Sequence, residues 1–93
     1  MLYVVSYYDW DYSAHRLLYS EKVYKEDEFK ELCDKVYDEV EQSIESKGVE
    51  LYVDDVYLGV VEKLIGEYGF KEVRLLNYGI WGNTRRVMLK EEL

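Results

Sequence analysis

Two carboxylates and the chain's one imidazole fall within seven residues, Asp9-Trp10-Asp11-Tyr12-Ser13-Ala14-His15. Donors of this kind can hold Mg²⁺ or Mn²⁺ beside a phosphodiester, where the ion polarises the phosphoryl oxygen and makes a bound water more acidic. The spacing matches no established metal signature. The same residue types also serve a solvated hairpin loop, where their side chains bond to nearby backbone. A small metal-dependent phosphodiesterase or nuclease using Asp9, Asp11 and His15 is therefore the second reading of the chain, not the first.

Over about ten residues, the opening strand that ends in Asp9 resembles that of a CRISPR-associated family of small ferredoxin-like nucleases. That family continues into a helix, whereas here a second strand follows, so no residue role is carried over. Cys33, the only cysteine, lies between Leu32 and Val36 on an apolar helical stripe. A thiol in such a place is a small buried hydrophobe with a raised pKa, not a nucleophile. His15 has no serine or cysteine partner in a catalytic context, so no triad can be argued. The sequence names no catalytic residue, no cofactor and no metal ligand set.

Charge is the more informative chemistry. Residues 26–46 carry nine carboxylates against Lys30 and Lys35, a net −7, while residues 70–90 carry five cations against Glu72, a net +4. The molecule is strongly dipolar within its overall charge of −8. In the acidic stretch Glu31, Asp34, Asp38 and Glu41 fall off the apolar stripe. Such a row is either a solvated face or an imitation of a nucleic-acid backbone that fits a basic groove. In the basic stretch Arg85 and Arg86, with Trp81 between strands, resemble a nucleic-acid surface, since cations bind phosphate and an indole stacks on a base. The net charge of −8 opposes approach to a polyanion, so complementarity to an acidic protein surface is preferred.

Ninety-three residues, 48% of them hydrophobic, fit one domain, residues 1–93. A lone cysteine suits a reducing, cytoplasmic setting, or a host cytoplasm if the gene is viral. No apolar run reaches the ~18 residues of a membrane span, and residues 1–5 lack the basic flank of a leader. Eleven tyrosines and few side-chain amides resemble the composition of small proteins from thermophiles and from archaeal viruses, although the absence of proline points the other way.

The elements that position these residues are read from periodicity. Residues 1–8 and 16–24 are β-branched and aromatic runs of strand length, with a polar loop between them. In the second run Leu17, Tyr19 and Val23 oppose Arg16, Ser20 and Lys22. Phe29, Leu32, Cys33, Val36, Tyr37, Val40 and Ile44 share one helical stripe, which predicts a helix over 27–47 stopped by Gly48. A second helix, capped by Asp54 or Asp55, reaches Tyr68 with Tyr57, Val61, Leu64, Ile65 and Tyr68 buried. Residues 49–53 form either a short strand or its first turn. Gly59 and Gly66 fall on its far side, as unoptimised surface or as room for a partner's backbone. Residues 72–78 and 85–90 read as strands around 79–84, with Trp81 in the turn.

The sum is an α+β two-layer sandwich, ββα(β)αββ, with a mainly antiparallel four- or five-stranded sheet and two helices on one face. The preferred function is a non-enzymatic interaction protein that forms a homodimer and binds a protein partner through the acidic helix face or the Trp81/Arg85/Arg86 hairpin. A nucleic-acid-binding module using that hairpin is the third reading.

Overall fold

The computed structural model describes residues 1–89. It is an α+β chain in the order β1 (Leu2–Asp9), β2 (Tyr12–Tyr19), α1 (Glu26–Ser46), α2 (Val53–Glu67), β3 (Lys71–Glu72), β4 (Leu76–Trp81) and β5 (Thr84–Leu89). Strands β1, β2 and β3 form one antiparallel sheet in that order, and β4 pairs with β5 alone. Among the described residues the single sheet of four or five strands expected from the sequence is thus divided in two. Lys90, counted above as a hairpin cation and strand residue, lies outside the described residues.

Alternation fixes which face of the first sheet is covered. Tyr3 and Leu18 stand opposite each other and are buried, and Val5, Tyr7 and Ala14 continue the same face against the helices. Arg16 shares that face, and its guanidinium donates to Glu72 on the neighbouring β3 at 2.8 Å. This corrects the expected phase of β2, in which Leu17 and Tyr19 formed the apolar side. They lie on the outer face instead, opposite Val4 and Leu2.

The boundaries of β2 also differ from expectation. The strand begins at Tyr12, so the polar loop shrinks to Trp10-Asp11, and it ends at Tyr19, so residues 21–24 leave the ladder. Ser13 and His15 read as loop residues because they are polar, yet they occupy the solvent side of a strand, where polar residues belong. The chain after Tyr19 is held by other means. Ser20 N donates to Met1 O at 3.1 Å, and the hydroxyl of Tyr3 donates to Lys22 O and accepts from Tyr24 N at 2.7 Å. Tyr24 is thereby set among rings: it stacks on Phe70, and Tyr3 stacks on Phe29 with centroids 4.6 Å apart.

Helix α1 follows its predicted stripe except at Tyr37, which is exposed: Val36 and Val40 are buried, and Phe29, Leu32, Cys33 and Ile44 pack beside them. Glu28 reaches back to accept from Lys25 N at 3.0 Å, satisfying an amide at the N-terminus. Gly48, at φ 69°, provides the left-handed stop. Residues 49–52 are neither strand nor helix. Helix α2 then buries Val56, Tyr57, Val60, Val61 and Leu64, while Ile65 and Tyr68 are only half-buried. At its end Gly69 turns the chain, and Phe70 N donates to Leu64 O at 3.1 Å, which carries the Phe70 ring into the core.

Gly59 is neither idle surface nor a partner's landing place. A Cβ there would lie 2.6 Å from Val40 Cγ1, so this glycine is where α1 and α2 approach each other. Gly66 has nothing within 4 Å of its Cβ position and is open surface.

Candidate interaction surfaces

Asp9, Asp11 and His15 are not brought together. His15 shares a 2.8 Å hydrogen bond with Ser6 Oγ and meets the Tyr8 ring edge-on, all on the outer sheet face. Asp9 accepts from Trp10 N at 2.7 Å, a bond that serves the turn, and Asp11 occupies that turn. The described residues contain no group of three His, Cys, Asp or Glu side chains placed to hold a metal ion.

The acidic face of α1 is laid out as the periodicity requires. Glu31, Asp34, Asp38 and Glu41 lie at i, i+3, i+7 and i+10, one arc of the helix away from Val36 and Val40. The first three are exposed and Glu41 is half-buried. Within this helix Asp34 is paired with Lys30, and Glu39 takes Lys63 of α2 at 2.7 Å, with Lys35 at 4.0 Å. The Lys63 ammonium beside Glu39 holds that carboxyl below its ordinary range, and Glu39 in turn raises Lys63. Glu39 and Lys63 join the two helices, and Glu31, Asp38 and Glu41 remain as the outward row.

Cys33 is half-buried beneath this face. Burial pushes its thiol up to about 11, with Asp34 adding to the effect, so the sulfur stays protonated at neutral pH.

The basic hairpin is a different kind of surface. Its turn is Gly82-Asn83, with Gly82 at φ 57° as first central residue, the arrangement of a type II′ hairpin. Trp81 is the last residue of β4, opposite Thr84, and so flanks the turn instead of occupying it. Arg85 stands opposite Ile80, and Arg86 opposite Gly79. The feature that charge counting missed is apolar. Leu76, Tyr78 and Ile80 alternate along β4 onto one face, Val87 stands opposite Tyr78, and these four are 74%, 60%, 67% and 59% exposed. The signal was present as an alternation of period two, but exposure depends on whether the hairpin joins the sheet.

The first sheet also shows uncovered surface: Leu2, Val4, Tyr8 and Tyr19 are exposed on its outer face. Beside the 12–16 half of β2 lies a cleft of about 800 Å³ lined by Tyr7, Tyr12, Ala14, Arg16, Tyr57 and Leu58 among others. No described helix is long and apolar enough to cross a membrane. No protein-family model, curated protein or solved structure matches this chain.

Proposed function

We propose that this chain is a non-enzymatic interaction protein that self-associates and presents the acidic face of α1 to another macromolecule. The observation that carries the reading is the four-residue apolar face of the β4–β5 hairpin, left in water by a two-stranded ribbon. Such a ribbon is marginal alone and gains stability only when a third layer covers it. Assembly supplies that layer, and with it the two-layer sandwich and four- or five-stranded sheet that the sequence pattern calls for. The outward carboxylates Glu31, Asp38 and Glu41 then form a row about 15 Å long from first to last, suited to a cationic protein groove. Its setting is a reducing interior, where Cys33 stays a thiol.

Sedimentation at micromolar concentration tests self-association: the expected result is a dimer that loosens between 0.1 M and 1 M salt, as the Debye length falls from about 10 Å to about 3 Å. A monomer at every salt concentration refutes it. For the acidic row, the triple reversal Glu31→Lys, Asp38→Lys and Glu41→Lys should abolish retention on immobilised basic nucleic-acid-binding domains while leaving the dimer unchanged.

A further inference from the structure

The register of the first sheet runs past its last assigned pair. Leu18 stands opposite Glu72, and Val73 N donates to Leu17 O at 2.9 Å. If the strand continued, Arg74 would face Arg16, Leu76 would face Ala14 and Tyr78 would face Tyr12. The chain does not take those places. Residues 73–75 belong to no ladder, and β4 pairs with β5. Among the described residues no strand pairs with residues 12–15 of β2 on the side away from β1, so their backbone groups form an open edge next to the cleft.

Face matches as well as register. Opposite residues of an antiparallel pair share a face, and Glu72 is opposite buried Leu18 and bonded to Arg16 on the helix-covered side. A period of two carries that face to residues 76, 78 and 80. The uncovered side chains Leu76, Tyr78 and Ile80 are therefore the ones that a strand at this edge would turn toward Tyr7, Tyr12, Tyr57 and Leu58. An edge without a strand and a strand without cover fit each other.

Two observations favour a second copy as the source of the strand over the chain's own hairpin. Closure within one chain sets Arg74 directly opposite Arg16, and like charges in that position are destabilising. A hairpin from another copy pairs only from Leu76 onward and leaves Arg74 in the connection. The molecule is also extended, measuring 52 × 32 × 21 Å with a radius of gyration of 15.7 Å, against about 12 Å for a compact chain of this length. An inserted hairpin further brings Arg85 and Arg86 toward the end of the sheet where Asp9 and Asp11 lie and where the first turn of α2 places Asp54 beside the cleft.

We infer that the protein forms an arm-exchanged dimer in which β4 of each copy pairs with the Tyr12–His15 edge of β2 in the other and seats Leu76, Tyr78 and Ile80 against α2 and the sheet. The exchange is two-fold and closed, since each copy gives the arm and receives it. This rests on the self-association proposed above and names its surface.

The experiment uses the full chain with Cys33→Ser as background. Ala14→Cys and Leu76→Cys chains are prepared separately, mixed and oxidised, because directly opposite residues of an antiparallel pair have Cα atoms about 4.5–5.5 Å apart, within disulfide reach. The expected product is a covalent pair of one Ala14→Cys and one Leu76→Cys chain, from a species that sediments as a dimer. Tyr78→Asp should weaken that dimer at least about tenfold with unchanged circular dichroism. If a chain carrying both cysteines closes on itself and stays monomeric, the hairpin belongs to its own sheet and the exchange is wrong. A dimer that neither cross-links nor responds to Tyr78→Asp overturns the exchange while self-association stands; a monomer without any cross-link overturns both.

Discussion

The two hairpins are built from similar sequence and end in different states. Both pair antiparallel strands across a two-residue turn, and both alternate aromatic and aliphatic side chains. In β1–β2 the half of one face around Leu18 is sealed: Leu18 is fully buried, Tyr3 packs among Tyr24, Phe29 and Phe70, and the Tyr57 hydroxyl donates to Val5 O at 3.0 Å. In β4–β5 no described side chain is buried. Alternation therefore predicts that a segment can be a strand, and a third layer decides whether it is a stable one.

The sharpest way to break this comparison is to put one carboxylate on each side of it. Val36→Asp, or Leu18→Asp, buries an unpaired charge at a fully buried site and should unfold the domain, since the cost of several kcal/mol rivals a total of about 5–10 kcal/mol. Tyr78→Asp enters water and should leave the monomer's melting temperature within about 2 °C. Thermal melts at neutral pH decide it. A cooperatively folded Val36→Asp chain contradicts the core, and a Tyr78→Asp monomer as unstable as Leu18→Asp would erase the difference between the hairpins.

A middle-sized effect tests how the first hairpin is fastened. Tyr3→Phe removes a hydroxyl that donates to Lys22 O and accepts from Tyr24 N, leaving two backbone groups without that partner. The expected loss is about 1–3 kcal/mol by chemical denaturation. Hydrogen exchange should show the same division: β1–β2 amides protected to the level of global unfolding, β4–β5 amides in the monomer exchanging through local opening. A loss below about 0.5 kcal/mol would mean that water replaces the bonds at no cost.

How much of this was readable depends on whether the cause was local. The stripe of α1 was readable because Phe29, Val36, Val40 and Ile44 repeat at helical spacing whatever they pack on, and Gly48 and Gly69 because a left-handed stop is a property of one residue. The limits of β2 were not: Ser13 and His15 look like loop until the outer face is known to be wet, and Ser20 to Tyr24 looks like strand until Tyr3 is seen to hold it elsewhere. The acidic row was legible by position, and so was the alternation of Leu76, Tyr78 and Ile80. Their exposure was hidden, because it follows from the chain leaving β2 after Val73, where Arg74 would meet Arg16.

Gly59 and Gly66 give a smaller comparison of the same kind, within one helix. Each gains about 1 kcal/mol of helix propensity on substitution by alanine. At Gly66 nothing opposes the gain, so Gly66→Ala should stabilise by up to about 1 kcal/mol. At Gly59 the new methyl meets Val40, whose branched side chain has one strongly preferred rotamer in a helix, so overpacking of about 1–3 kcal/mol exceeds the gain. Opposite signs in denaturant midpoints are expected, and equal stabilisation would remove the close approach of α1 and α2.

The smallest effect concerns the place where the first sheet stops. The Arg16 guanidinium holds the Glu72 carboxyl below its ordinary value, with Arg74 adding to the effect. A carboxyl depressed in the folded state contributes stability that is present above its unfolded value, about 4.3, and is lost as pH falls through the lower folded value. Glu72→Gln should therefore cost a few tenths of a kcal/mol at pH 7, about what partly exposed pairs contribute, and nothing once the pH lies below the depressed folded value and Glu72 is neutral. The difference between the two melting curves should close across the acid limb below about pH 4.3. Because Glu72 also stands between Arg16 and Arg74, its neutralisation should loosen β3 from β2 and speed exchange of the Val73 amide bonded to Leu17. A Val73 amide that exchanges at the same rate in Glu72→Gln and the parent would show that this ion pair does not hold the edge, and that backbone pairing alone sets where the strand departs.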